Sequence, residues 1–275
     1  MTENNEIQYP NIKQSWGIVG IAILSMILFS PVILLDNLIG EEISFLAYYL
    51  LAMGVPFLIV HRIKKKRTGL SNYNFDFSSV KIIMLVFIAI IAIQIGIISP
   101  FVNLIPMPEF MEKIFLELAN QNGVFSFIAI VIAAPVLEEL IFRGIILDGL
   151  LKKYSPVKSI IISSLLFGIV HLNPWQFLGA FIFGIFSGWI YYRTNKLILT
   201  IIMHFANNFL AFVAIYFFDE ETMMDKSLTE IYGGLLNLSL ISVGAIIITI
   251  ICIYLLKNEF NKNEKCNYQQ PSFNS

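Results

Sequence analysis

The chain has 275 residues, 57% of them hydrophobic and only 13% charged, against about 25% charged in an ordinary soluble domain. A formal net charge of −1, with no basic face beyond one short loop, argues against a nucleic-acid partner. Cys252 in an apolar run and Cys266 in a polar tail imply no disulfide framework.

Apolar runs recur at 17–35, 43–60, 80–104, 124–147, 159–172, 175–192, 197–218 and 235–256. Most are long enough to cross a hydrocarbon core of ~30 Å at ~1.5 Å per residue. The first follows a nearly neutral segment without a small-residue cleavage site and reads as a retained helix rather than a leader. The fifth is short, and Asn173-Pro174 demands a tight turn before the sixth. The expected fold is all-α, a polytopic bundle of about eight transmembrane helices in the cell membrane.

Orientation follows from the basic residues. The loop His61-Arg-Ile-Lys-Lys-Lys-Arg67 is expected inside, and alternation from there puts every other Lys and Arg inside except Lys113, Lys226 and the intramembrane Arg143. Both termini are then cytoplasmic. Residues 108–120 set Phe110, Ile114 and Leu118 at helical spacing, with Glu112, Lys113 and Glu117 opposite, as in an amphipathic helix on the outer interface. The chain divides into N-terminal helices and that segment (1–123), a polar-residue-bearing core (124–218), a last helix (219–256) and a polar cytoplasmic tail (257–275), the last expected to lack structure.

Charges inside spans carry the functional signal, since each costs ~2.5–3.5 kcal/mol at a helix centre on insertion scales. Three lie within six positions: Glu138, Glu139 and Arg143. Glu139 and Arg143 are i and i+4 with the glutamate first, the favourable order for an ion pair. Glu138 points about 100° away and is left as a desolvated carboxylate, a candidate general base. Pro135 removes a backbone donor one turn earlier and opens space beside it. His171 shares a face with Phe167, and His204 shares one with Asn208.

A base, two imidazoles and an amide suit attack of water on a carbonyl: Glu138 and His171 to activate the water, His204 and Asn208 to hold the oxyanion. The same atoms admit a zinc ion on Glu138, His171 and His204, and residue types alone do not choose between no cofactor and zinc. No His-Glu-x-x-His motif is present, and Gly184-Ile-Phe-Ser-Gly188 does not match a nucleophile elbow. Ser187 reads as a small helix-packing residue.

Glu138-Glu139-Leu-Ile-Phe-Arg143, Phe167-Gly-Ile-Val-His171 and His204-Phe-Ala-Asn-Asn208 together resemble the three motifs of the CAAX prenyl protease type II and bacteriocin-processing (CPBP, or Abi) family of intramembrane proteases. The resemblance covers about residues 124–218. It implies an endopeptidase acting on a membrane-associated protein or peptide, with Glu138 as catalytic carboxylate, His171 as its partner, and His204 and Asn208 as oxyanion donors. Glu139 and Arg143 fall on the remaining motif positions. Two other readings stay open: a non-catalytic bacteriocin-immunity or peptide-binding membrane protein, and a proton-coupled transporter.

Overall fold

Helix ends fall where the sequence supplies caps and breakers. The computed structural model describes residues 8–113, 123–217 and 227–269, and every regular element among them is helical. A helix stands at each expected run: α1 Ile12–Ile39, α2 Glu41–Thr68, α3 Val80–Val102, α4 Val124–Leu151, α5 Pro156–Ile169, α6 Pro174–Thr194, α7 Leu197–Phe217 and α8 Leu235–Gln269. Six of these, α1 to α4, α7 and α8, are long and apolar enough to cross a membrane. With 14 residues α5 is shorter, and the 21-residue α6 is more polar, with Trp175, Gln176 and Tyr191 along it.

Asn11 caps α1 in a reciprocal capping box with Gln14, and Asn173 caps α6 by accepting from the Gln176 amide, with Pro174 in the first turn. The breaker before α6 is thus a helix start. The preceding helix ends earlier than expected, at Ile169, so His171 lies in the turn beyond it rather than in a span. The polar tail also differs from expectation. Instead of ending near 256, α8 continues to Gln269, because Phe260 is buried against Trp189 and Glu259 pairs with Lys81 and Lys262. Of the amphipathic segment, 109–113 is helical with Phe110 exposed; Ile114, Glu117 and Leu118 lie outside the described residues.

Leucines and isoleucines face outward along α1 (Leu24, Leu28, Leu34) and α8 (Leu235, Leu240, Ile250), as a lipid-facing surface requires. Half of the apolar window of α4 is buried inside the protein, against 17% for α8, so α4 is the central helix. It packs against α2, α5 and α7, while α8 covers α3. The α5–α6 hairpin closes tightly because Gly184 has no side chain: a Cβ there would come within 2.9 Å of the Ser164 Cβ.

The central helix is not uniform. An α-helical stretch, Ala134–Ile141, is flanked by wider π turns at Ile128–Ala133 and Phe142–Leu147, a distortion that recurs at functional sites. Around these turns, polar side chains from other helices reach its carbonyls. Asn208 Nδ2 donates to Ile130 O at 2.9 Å, Ser163 Oγ to Phe142 O at 3.0 Å and Lys64 Nζ to Gly144 O at 2.8 Å. The first contact has a covalent origin. Ala134 N–H bonds back five residues to Ala129 O, so the next partner in that register, for Ile130, is Pro135, which has no N–H.

Candidate active site

The stretch between the π turns carries Glu138 and Glu139, both buried. Glu139, with no exposed surface, accepts from three helices at once. Arg143 Nη1 donates to its Oε1 at 2.9 Å across one helical turn. His204 Nδ1, from α7, lies 3.0 Å from the same oxygen. Ser187 Oγ, from α6, donates to Oε2 at 3.2 Å. The expected i,i+4 bridge is therefore present, but it is one part of a larger knot. Ser187 does more than pack: it closes the second oxygen of Glu139.

A carboxylate only accepts, so the His204 proton on that side sits on Nδ1 and its Nε2 faces away. It faces Glu138: His204 Nε2 is 3.9 Å from Glu138 Oε2. That oxygen is buried and has no hydrogen-bond partner. The other oxygen of Glu138 is held by a residue the sequence motifs do not include, Tyr49 of α2, whose hydroxyl donates to Oε1 at 2.5 Å.

Aromatic rings wall the cluster. The Arg143 guanidinium lies 4.5 Å from the Phe167 ring centroid and 5.7 Å from that of Phe183, which gives a fully buried cation favourable π contact on faces where it lacks an acceptor. Phe167 also sits between the imidazoles, edge-on at 5.1 Å to His171 and 5.8 Å to His204. His171 Nδ1 donates to Phe167 O at 2.8 Å, which places a proton on Nδ1 and turns Nε2 away from that carbonyl.

The structure thus gathers Glu138, Glu139, Arg143 and His204 directly, with His171 one ring away across Phe167. Asn208 stands on the same face of α7 as His204, but one amide proton is committed to Ile130 O. Its neighbour Asn207 donates to Asn208 Oδ1 at 3.3 Å. Among the described residues no three His, Cys, Asp or Glu side chains are grouped closely enough to hold a metal ion, so Glu138, His171 and His204 do not form a three-ligand zinc set in this arrangement.

Contacts along α2 explain why Tyr49 is held in place. Glu42 accepts from Phe125 N–H at 3.3 Å at the start of α4, and Lys64 joins Gly144 O and, at 3.2 Å, Asp148 near its end. Partners in the same order on both helices mean that α2 and α4 run parallel. Neither Tyr49 nor Ser187 was accessible to motif reading, since a Tyr or Ser in an apolar run usually only packs or bonds a neighbouring helix.

An all-helical membrane bundle with a buried carboxylate–imidazole centre is the class of protein defined so far. Residues 120–210 match the family model described as Type II CAAX prenyl endopeptidase Rce1-like, a stretch that contains Glu138, Glu139, Arg143, His171, His204 and Asn208 and excludes Tyr49. The chain is also 36% identical over 77 residues to a Bacillus subtilis (strain 168) protein named "Putative membrane peptidase YdiL". That alignment spans 28% of this chain and 32% of the Bacillus protein. No solved structure matches. Both similarities cover about a third of the chain, and the Bacillus alignment likewise reaches about a third of that protein's length.

Proposed function

We propose that the protein is an intramembrane endopeptidase that hydrolyses a peptide bond of a membrane-associated protein or peptide by a glutamate-dependent mechanism without a metal. The observation that carries this reading is the state of Glu138: one oxygen is bound by Tyr49, and the other is buried, unpartnered and 3.9 Å from His204 Nε2. A carboxylate with one oxygen held and one open is equipped to take a proton from a water molecule in a site shielded from bulk solvent.

In this mechanism Glu138 Oε2 accepts a proton from water as the water oxygen bonds to the substrate carbonyl carbon. His171 assists in moving that proton through Nε2. The carbonyl oxygen takes up the displaced electron pair and becomes an oxyanion. His204, through Nε2–H, and the second Nδ2–H of Asn208 donate to it. Glu139 holds His204 through Nδ1, the orienting role a carboxylate plays toward a catalytic imidazole. Collapse of the intermediate breaks the C–N bond, and the proton on Glu138 passes to the leaving nitrogen.

Comparative proteomics of membrane and secreted peptides between wild type and Glu138→Gln tests the reading. Uncut precursors should accumulate in the variant while the protein itself inserts and folds at wild-type level. Identical peptide profiles beside a normally expressed variant would refute it.

A further inference from the structure

Resting on that reading of Glu138, we propose that Tyr49 is a positioning residue for the catalytic carboxylate: its phenol pins Oε1 and thereby commits Oε2 to the water. The terminal torsion of a glutamate is broad and two-fold, so an untethered carboxylate exchanges its two oxygens and points either at the reacting volume. Here the exchange is blocked. Tyr49 Oη donates to Oε1 at 2.5 Å, while Oε2, buried and unpartnered, lies on the His204 side. The donor comes from α2, outside the matched stretch 120–210. It reaches the carboxylate from a helix that is itself fastened to α4 above and below, by Glu42 at Phe125 N–H and by Lys64 at Gly144 O and Asp148.

A tyrosine that merely satisfied a buried carboxylate would influence folding, not turnover. Tyr48, one position along the same helix, serves as control, since no hydrogen bond joins it to Glu138. Wild type, Tyr49→Phe, Tyr48→Phe and Glu138→Gln are purified in detergent and assayed on a synthetic peptide corresponding to a precursor that accumulates in Glu138→Gln cells. Tyr49→Phe should lower kcat about ten- to a hundredfold, the worth of one hydrogen bond to a charged group, with KM changed by less than about twofold. Tyr48→Phe should match wild type. A second readout needs no substrate: the infrared carboxylate band lost in Glu138→Gln should shift in frequency in Tyr49→Phe. An inactive Glu138→Gln beside a Tyr49→Phe protein with wild-type kcat and an unmoved band would overturn the positioning role alone. Undiminished cleavage by Glu138→Gln would overturn the hydrolytic reading and this one together.

Discussion

Glu139 Oε1 lies 3.0 Å from His204 Nδ1, and the same oxygen receives Arg143 Nη1 at 2.9 Å. One buried atom thus joins a helix-internal ion pair to an imidazole on another helix. Arg143 holds Glu139 as a charged acceptor, and Glu139 in turn aims His204. In the proposed mechanism the arginine would act only through Glu139.

Arg143→Ala is therefore expected to damage both fold and function. Removing one member of a buried ion pair leaves the other uncompensated and costs about 3–5 kcal/mol. Folded yield and thermal unfolding in detergent should both fall, together with cleavage. Wild-type thermal stability in the variant would mean that the pair contributes nothing to the bundle.

Ser187→Ala tests a finer point. Its hydroxyl donates to Glu139 Oε2 within a fully buried site, so its loss should cost about 1.5–3 kcal/mol of stability and reduce cleavage less than Glu138→Gln does. A variant indistinguishable from wild type in both assays would return Ser187 to a packing role.

For Asn208 the measurements separate two duties. Asn208→Leu leaves Ile130 O without its donor, with an expected stability loss of about 1–3 kcal/mol. If the amide also serves the oxyanion, kcat should fall by ~100-fold or more, beyond what reduced folded yield accounts for. Loss of yield with normal turnover per folded molecule would assign Asn208 to the helix alone.

Gly144→Ala places a Cβ 2.9 Å from the Tyr73 ring and disturbs the π turn that receives Lys64. Overpacking of this kind costs about 1–3 kcal/mol, read as a lower unfolding temperature. A larger, active and equally stable variant would mean that Tyr73 moves aside freely.

Metal analysis addresses the proposed mechanism directly. Active purified protein should lack stoichiometric zinc, and chelator treatment should leave cleavage unchanged. Activity lost to chelation and regained specifically with zinc would replace the metal-free scheme.

Much of this was legible in the sequence because the signals were local. Apolar length gave the helices, spacing gave the Glu139–Arg143 bridge, and Asn173-Pro174 marked a boundary. The knot around Glu139 was not legible, because Ser187 and His204 reach it across 48 and 65 residues, and helix periodicity says nothing about which faces meet. Tyr49 was hidden for the same reason, 89 residues from its partner. His171 shows a different limit. Its spacing from Phe167 was read as a shared helix face, yet the helix stops at Ile169 and the ring instead folds back onto the Phe167 carbonyl.

The attachment of α2 to α4 bears on how a substrate gains entry. A helix pair tied at one end by Glu42, in the middle by Tyr49 and at the other end by Lys64 cannot part without breaking all three polar contacts, of which the one from Lys64 to Gly144 O is buried. For the proposed peptidase, a substrate would then enter on another flank of α4, where apolar packing can slide and re-form at little cost. A covalent cross-link joining α2 to α4 should leave turnover unimpaired, whereas abolished turnover in correctly folded, cross-linked protein would show that this seam is the one that opens.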